Sequence, residues 1–269
     1  MKVPGGIDRR EFLVSVAAAA GGLALGFDVP FAPQAAQAAG RAPEITAWIV
    51  IQGDDTVIIR VARSEMGQGT LTALQMLVAE ELECDWSKVR TEFPRPDENL
   101  RRNRIWGDFS TGGSRSIRNS QEPLRRAGAT AREMLIAAAA AQWGVAASEC
   151  RAANSVITHA PSGRTVTFGR VAEAAAKMAP PQNVTLKDAK DWRLVGKPTR
   201  RLDVTAKVTG QPIYGIDVRV PGMLYAALAQ CPVFKGTLKS VDDSKAAGMK
   251  GVRQVVKLKD AVAVDADSW

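Results

Sequence analysis

The spacing of apolar and polar positions first predicts a β-hairpin that runs directly into an amphipathic helix. Over residues 45–62, two apolar runs rich in β-branched residues flank the turn cluster Gly53-Asp54-Asp55. Over residues 70–84 the apolar positions change to helical spacing. One face of this helix would carry Leu71, Leu74, Leu77, Val78 and Leu82. The segment between hairpin and helix, Gly67-Gln68-Gly69, is therefore predicted to be a tight loop at a helix N-terminus.

Further along the chain, the patterns predict a mixture of short strands and helices, and hence the fold class α+β. Gly144 is placed to stop the longest helix, and Pro123 marks its first turn or a kink. The Pro180-Pro181 pair and the polar run after it predict a linker, 181–200, between two units. The other predicted elements are a strand at 88–93, a long basic loop at 94–116, a helix at 117–143, a hairpin at 155–168, a helix at 169–178, strand patterns at 207–210, 213–220, 223–230 and 252–258, and a helix near 242–248.

Composition and charge limit the kinds of ligand or macromolecule that this chain is expected to bind. The 269 residues are 46% hydrophobic and 24% charged, as expected for a folded protein. Charges in residues 1–39 cancel, so the net charge of +8 belongs to the rest of the chain. That excess favours an anionic ligand, an acidic partner or nucleic acid. Trp106 and Phe109 do interleave with arginines, but an export signal argues against nucleic acid, and we interpret this stretch as a loop solvated by its arginines.

The N-terminus, residues 1–39, is predicted to be a twin-arginine export signal. Arg9-Arg10 precede an apolar run rich in Ala and Gly, and a small-residue cleavage site follows at 36–38. The alternative is a short buried Ala/Gly helix. An export signal predicts a protein of the periplasm, or of the periplasmic face of the inner membrane. No other segment approaches the roughly 20 apolar residues that a membrane-spanning helix needs.

Cysteine and histidine usage argues against several kinds of metal site. Cys84, Cys150 and Cys231 are far apart, and His159 is the only histidine. A disulfide framework, an iron–sulfur cluster within this chain and a histidine-based zinc or iron site are therefore not expected. We interpret His159 as a satisfied surface or turn residue. Any metal would need most of its ligands from elsewhere, so no metal-ligating side chain is predicted.

Two glycine-containing loops are candidates for binding an anion. The first precedes a helix, where unpaired N–H groups and the helix dipole favour negative charge. There Gly67 and Gly69 would allow close approach, and the Gln68 amide suits a heterocycle edge or an oxo group. Thr70 and Thr72 would cap the helix or touch a ligand oxygen. The alternative is a purely structural strand-to-helix turn. Glu65 is expected to fix its loop, and Glu80 further along the helix is expected to be solvated or capping.

The second candidate loop lies just ahead of the long helix. Its backbone donors, hydroxyls and guanidinium groups suit a phosphate or pyrophosphate. The residues concerned are Gly112, Gly113, Ser114, Arg115 and Ser116. The alternative is a capped helix start with solvated arginines. Neither loop has the spacing of a P-loop or of the dinucleotide fingerprint G-x-G-x-x-G.

The segments 64–90, "SEMGQGTLTALQMLVAEELECDWSKVR", and 107–140, "GDFSTGGSRSIRNSQEPLRRAGATAREMLIAAAA", carry a family resemblance. They resemble the molybdopterin-binding large subunits of the xanthine dehydrogenase and aldehyde oxidase family. Within it they are most similar to the isoquinoline 1-oxidoreductase beta-subunit and membrane-associated aldehyde dehydrogenase branch. Residues 201–256 resemble the α/β hammerhead domain of that family. The resemblance implies a molybdopterin-binding-type module at 43–180, followed by an incomplete α/β hammerhead domain at 201–269.

The resemblance also implies a function. Molybdenum would be held by the dithiolene of a molybdopterin, in the cytosine dinucleotide form, with Gly67, Gln68 and Gly69 near the pterin or the oxo region. The second loop would line the cofactor pocket or its phosphate arm. The whole enzyme would oxidise an aldehyde or an N-heteroaromatic with water. Electrons would pass to a small [2Fe–2S] subunit and on to a cytochrome c or quinone-linked acceptor.

The family's catalytic glutamate lies near its C-terminal end, so no catalytic residue is expected within this chain. The chain is accordingly expected to be the N-terminal portion of a longer subunit and to be inactive alone. The rival function is a non-catalytic exported protein that binds an anionic ligand.

Overall fold

The structure is a computed structural model that describes residues 42–269. The described chain forms two compact units. The first ends at Gly210, and the second begins at Gln211. The predicted export signal, 1–39, lies outside the described residues. Within residues 42–269, no helix has the length and apolar character needed to cross a membrane.

Between residues 42 and 210, the first unit contains seven strands and six helices. They are β1 (Glu44–Thr46), β2 (Ile49–Ile51), β3 (Val57–Arg60), α1 (Thr70–Leu82), β4 (Val89–Glu92), α2 (Pro96–Arg101), α3 (Arg115–Arg118), α4 (Gln121–Trp143), β5 (Cys150–Ala153), β6 (Val156–His159), β7 (Thr165–Thr167), α5 (Phe168–Ala176) and α6 (Val204–Val208). Short 3-10 turns lie at Trp86–Lys88, Ala147–Glu149 and Ala189–Asp191.

The first sheet has the order β1-β2-β3-β4. The predicted hairpin is confirmed, because β2 and β3 pair antiparallel around the turn at 52–56. β3 pairs in parallel with β4, in a register that places Val57 opposite Val89 and Arg60 opposite Glu92. α1 makes the crossover between these two parallel strands, as such a connection requires. The carboxyl ends of β3 and β4 therefore meet at one edge of the sheet.

The core of this unit lies between the sheet and the pair α1 and α4. Leu74, Leu77, Val78 and Leu82 of α1 are buried, which confirms most of the predicted apolar face. The two helices approach closely at Gly128 of α4, where an added Cβ would lie 2.5 Å from the carbonyl oxygen of Val78. α4 ends at Trp143, and the next residue, Gly144, has a φ of 66°, the left-handed conformation common just after a helix end. The sequence prediction for the end of this helix is confirmed.

A second sheet, β5-β6-β7, carries the predicted hairpin at 155–168, and α5 follows it. His159 lies in this sheet and is only 5% exposed, so its interpretation as a surface residue is wrong. Its hydrogen bonds are nevertheless satisfied: Nδ1 lies 2.7 Å from Ser162 Oγ and Nε2 lies 3.2 Å from Glu149 Oε2.

The segment 94–116 is not the continuous solvated loop predicted from its arginines. Pro96 starts the helix α2, and Asp97 and Glu98 lie in its first turn, where the helix dipole favours negative charge. Trp106 is 2% exposed and donates its Nε1–H to the carbonyl of Ala47 at 2.8 Å. The guanidinium groups of Arg60 and Arg102 lie over its ring. Trp106 is therefore a core residue that is not available to stack on a nucleic-acid base.

Two of the predicted strand patterns are also wrong. Residues 207–210 overlap α6, so the β-branched residues of this segment are helical or follow a helix. An ion pair between Asp203 and Lys207, 2.7 Å apart, links the start of this helix to its next turn. Residues 213–220 contain the 3-10 turn Gly215–Asp217 instead of a strand. The Tyr214 N–H donates to the Asp217 carboxylate at 3.0 Å, so local bonding replaces a strand ladder.

Residues 185–203, which we call the strap, run along α1 from its C-terminal end toward its N-terminal end. The Lys187 N–H donates to the Glu81 carboxylate, and the N–H groups of 193–195 donate to the Glu80 carboxylate at 2.6–3.0 Å. Further along the strap, the Leu202 N–H donates to Thr72 Oγ1 at 3.1 Å. The predicted linker thus packs against the first unit, which continues to Gly210. Glu80 is only 4% exposed, so its prediction as a solvated residue is wrong.

The second unit contains β8 (Tyr225–Gln230), α7 (Ser244–Ala247), β9 (Val252–Lys257) and β10 (Ala261–Ala266). Its sheet has the order β8-β10-β9, and both pairs are antiparallel. The strands predicted at 223–230 and 252–258 and the helix predicted near 242–248 are confirmed.

We expect Glu80→Gln to destabilise the first unit, because three consecutive strap N–H groups and the Lys187 ammonium would lose a buried carboxylate. Loss of one partner from a buried ionic cluster typically costs about 3 kcal/mol. The measurement is urea unfolding of both proteins. The control is Glu122→Gln, whose exposed ion pair with Arg126 should contribute less than about 1 kcal/mol. Equal effects of the two substitutions would contradict the role given to Glu80.

Candidate functional site

The carboxyl ends of β3 and β4 open into a cleft of about 150 Å³. In open sheets with parallel strands, ligands commonly bind at this edge. Residues that follow both strands line the cleft, together with one aromatic residue that lies ahead of the second predicted loop. The lining consists of Val61, Ala62, Arg63, Ser64, Phe93, Pro94 and Phe109. The cleft therefore lies directly beside the first predicted loop.

The structure brings the segments of the two predicted loops together at this edge. Arg63 Nη1 donates to the carbonyl of Asp108 at 2.6 Å, to its carboxylate at 2.6 Å and to the carbonyl of Ser110 at 2.8 Å. The Ser64 N–H donates to Thr111 Oγ1 at 2.9 Å. Two loops that are more than 40 residues apart in sequence thus form one surface beside the cleft.

The first loop is built around its own carboxylate. Glu65 accepts hydrogen bonds from the N–H groups of Gly67 at 2.7 Å, Gly69 at 3.1 Å and Leu71 at 2.9 Å. Gly67 and Gly69 have φ values of 99° and 88°, which favour glycine. The N–H groups of this loop, predicted from the sequence to bind an external anion, therefore donate to a carboxylate of the chain itself. The interpretation of Glu65 as the residue that fixes this loop is confirmed.

Of the polar side chains predicted to touch a ligand, Gln68 and Thr72 already have hydrogen-bond partners within the chain, and Thr70 is buried. Gln68 is exposed, but its Oε1 accepts from the Met66 N–H at 2.6 Å and its Nε2 donates to the Ser64 carbonyl at 2.9 Å. Thr70 and Thr72 are 3% and 5% exposed, and the hydroxyl oxygen of Thr72 accepts from the strap. A ligand contact by any of these three side chains stays a prediction.

The second loop leaves its backbone open. Gly113 and Ser114 adopt φ values of 58° and 57°, and the short helix α3 follows. An added Cβ at Gly112 or Gly113 would meet no atom within 4 Å. Unlike Gly113, Gly112 does not have a left-handed φ. In the described chain, neither its backbone conformation nor a neighbouring atom requires a glycine at this position. Space left above a backbone in this way is what the close approach of a bound group requires.

The charged residue of this loop, Arg115, is already partly neutralised. Its guanidinium donates to the Gly112 carbonyl at 3.3 Å, bonds the Ser110 hydroxyl and lies 3.7 Å from an Asp108 carboxylate oxygen. Arg118 donates to the Gly113 carbonyl at 3.3 Å. Ser116 is half-buried in α3. The arginines therefore stiffen the loop as well as giving it positive charge.

Comparison with known families decides the assignment. Residues 14–216 match the family described as the molybdopterin cofactor-binding domain. This chain belongs to the molybdopterin cofactor-binding domain family. The family resemblance identified from the residues is therefore confirmed, and the α+β class agrees with the described elements.

Curated relatives of this molybdopterin-binding chain include three oxidoreductases. Over 96% of its length it is 34% identical to the beta chain of isoquinoline 1-oxidoreductase from Brevundimonas diminuta, covering 38% of that protein. It is 33% identical over 94% of its length to membrane-bound aldehyde dehydrogenase [pyrroloquinoline-quinone] of Gluconacetobacter polyoxogenes, and 30% identical over 83% to a nicotinate dehydrogenase subunit of Pseudomonas putida. The chain covers 33% and 19% of these two relatives, respectively.

Two arginines that contact the candidate site were not predicted from the sequence. Arg63 lies four residues before Gly67, and this position close to the first loop was the one signal in the sequence that pointed to it. Arg201 donates to the Gly67 carbonyl at 2.9 Å and to Glu65 Oε1 at 3.1 Å. Because these partners lie more than 130 residues earlier, no local pattern could have indicated the contact.

Among residues 42–269, no group of three or more His, Cys, Asp or Glu side chains is arranged to hold a metal ion. The cysteines are free thiols, and burial raises the pKa of Cys84 to about 12. A thiol of that kind is protonated at neutral pH and is a poor metal ligand.

We expect the Glu65 loop to make stability depend on pH. Burial acts to raise the pKa of Glu65, but the N–H groups of Leu71, Gly69 and Gly67 and the charge of Arg201 lower it below the usual value of 4.5. The stabilisation is therefore complete above pH 4.5 and is lost as the pH falls through the lower pKa of the folded state.

The check is urea unfolding of the wild type and Glu65→Gln between pH 7 and pH 3. The difference in free energy of unfolding between them should be largest near pH 7 and shrink in acid. A difference that stays constant across this range would contradict the assignment of a stabilising charge to Glu65.

Proposed function

We propose that this chain contributes part of the molybdopterin site in the large subunit of a molybdenum-dependent oxidoreductase. The observation that carries the proposal is the convergence of the two glycine loops beside the cleft at the carboxyl ends of β3 and β4. Both loops lie within the residues that match the cofactor-binding family.

The residues on this surface fit such a cofactor. Its pyrophosphate needs backbone donors and cations with room for close approach, and Gly112, Gly113, Ser114, Arg115 and Ser116 supply these types of group. When bound, the cofactor would supply a molybdenum centre that acts as Lewis acid and hydride acceptor. The dithiolene of the pterin would hold that metal, which suits a chain whose described residues contain no metal-ligand cluster.

The first loop would lie against the pterin side. Gly67 and Gly69 would allow the cofactor to approach closely because they carry no side chain, and the Gln68 amide would turn from its bonds with Met66 and Ser64 toward the cofactor. Thr70 and Thr72, in the first turn of α1, would cap the helix or contact a ligand oxygen. We propose no catalytic residue within residues 42–269.

We base the proposed substrate class on the names of the relatives. They name an aldehyde, isoquinoline and nicotinate, so we propose an aldehyde or an N-heteroaromatic substrate oxidised with water. One name includes pyrroloquinoline-quinone, but the family match supports molybdopterin for the present chain. We propose the cytosine dinucleotide form of the cofactor, a small [2Fe–2S] partner subunit, and a cytochrome c or quinone-linked acceptor.

The remaining assignments concern organisation and location. We propose a twin-arginine signal at 1–39, a cofactor-binding module at 43–180 with a connecting segment at 181–200, and part of an α/β hammerhead domain at 201–269. Export by this route would place the protein in the periplasm or on the periplasmic face of the inner membrane. The three antiparallel strands of the second unit, with α7 beside β9, support the hammerhead assignment.

A second candidate function is that of an exported protein that binds an anionic ligand without catalysis. The net charge of +8 and the two loops favour it. The two functions differ in what the purified chain contains, because only the first requires molybdenum and a pterin.

We expect the chain purified from cells that make molybdopterin to carry molybdenum and a fluorescent oxidised pterin. Gly112→Ala should lower both contents several-fold without changing stability, because a methyl group there fills only the space above the loop. Elemental analysis and pterin fluorescence are the measurements.

The matched control is Gly53→Ala, in the turn between β2 and β3. This glycine likewise has no left-handed φ and no atom within 4 Å of an added Cβ. Equal losses in both variants would contradict the proposed phosphate-arm role of Gly112. Wild-type protein that lacks both molybdenum and pterin would favour the second candidate function.

A further inference from the structure

The last residues of the strap reach the first loop and connect it to a distant part of the chain. We propose that Arg201 is a positioning residue that sets the shape of the Gly67-Gln68-Gly69 loop. Its importance for cofactor binding rests on the proposed function, whereas its control of the loop does not.

The guanidinium group of Arg201 forms hydrogen bonds with two groups that shape the loop. Arg201 Nη1 donates to the Gly67 carbonyl at 2.9 Å, and Nη2 donates to Glu65 Oε1 at 3.1 Å. The same Glu65 oxygen accepts the N–H groups of Gly67 and Gly69. Arg201 therefore contacts the carboxylate at the centre of the loop and also the loop backbone.

A second carboxylate holds the guanidinium in place. Arg201 Nε donates to Asp203 Oδ1 at 2.9 Å and Nη2 donates to Oδ2 at 2.8 Å, the two-bond arrangement that fixes a guanidinium plane. Lys207 shares Asp203 Oδ2 at 2.7 Å. Lysine at position 201 would offer a single ammonium centre, which cannot reproduce the planar fork that reaches all three partners.

The rest of the strap determines where Arg201 lies. Glu81 and Glu80 hold the strap at the C-terminal end of α1, and Thr72 holds Leu202 near its N-terminal end. Leu202 is the direct neighbour of Arg201. The guanidinium is therefore delivered to the loop by backbone contacts that do not involve the loop itself.

This arrangement has a consequence for ligand binding. Gly67 and Gly69 make the loop costly to order, because glycine loses more backbone freedom than other residues. A loop that is already ordered before the ligand arrives avoids that cost at the moment of binding. Arg201 would thus raise cofactor occupancy without touching the cofactor.

The test compares amide hydrogen exchange in purified wild type, Arg201→Gln and Arg201→Lys. Because charge-assisted hydrogen bonds are lost, exchange at Gly67, Gly69 and Leu71 should become about tenfold faster in Arg201→Gln, with a smaller increase in Arg201→Lys. Exchange in α4 should stay unchanged, which would show that the fold is intact. Lys207→Gln is the matched control, because it removes a charge from the same cluster but no bond to the loop.

Two further outcomes decide the proposal. Unchanged exchange at the three loop amides in Arg201→Gln would overturn it. If Arg201→Gln does not fold, the same comparison in Arg201→Lys decides, and exchange equal to wild type there would also overturn it.

Pterin content of the same proteins tests the link to cofactor binding. Faster loop exchange together with a several-fold lower pterin content supports a positioning role. Faster exchange with unchanged pterin content would overturn that role. A wild-type chain without pterin would overturn the proposed function instead, while the exchange comparison would still decide whether Arg201 shapes the loop.

Discussion

The arrangement of the site depends on two adjacent carboxylates buried on α1. Glu80 accepts three consecutive strap N–H groups, and Glu81, which is fully buried, accepts the Lys187 N–H and pairs with Arg125 of α4. Burying two charges is costly unless each is paired and hydrogen-bonded, and here both conditions are met. The same contacts determine the path of the strap along α1, and through it the position of Arg201 beside the first loop.

The first loop shows how a chain can fill its own anion-binding position. A helix N-terminus with glycines favours negative charge, and the sequence alone does not say where that charge comes from. In this structure Glu65 supplies it, five residues ahead of Thr70, the first residue of α1. The loop is consequently ordered by internal bonds, and the open backbone for an external group lies at Gly112 and Gly113.

The spacing of apolar residues and the placement of glycines predicted those helices and strands whose formation depends on nearby residues. The hairpin of β2 and β3, the helix α1 and the stop of α4 at Gly144 follow from apolar spacing and glycine placement, and all are confirmed. The burial of Glu80 and Trp106 did not follow, because their partners are distant in sequence: the strap for Glu80, and Ala47 for Trp106. Charged and aromatic residues in a polar stretch of sequence are predicted to be exposed, because their distant partners are known only from the folded structure. For the same reason both loops were predicted as candidates, but their convergence through Arg63 was not.

Net charge turns out to be a poor guide to this surface. Three arginines near the loops already face carboxylates: Arg63 lies 2.6 Å from Asp108, Arg115 lies 3.7 Å from the same residue, and Arg201 lies 2.8 Å from Asp203. Their charges are partly compensated within the site, because Arg63 and Arg115 share the carboxylate of Asp108, so the net charge of +8 does not by itself measure the charge that this surface offers an anion. Selectivity for a phosphate-bearing group would come instead from backbone donors held at fixed positions. Such donors lose little freedom when a ligand binds, and the ion pairs act by holding the loops that present them.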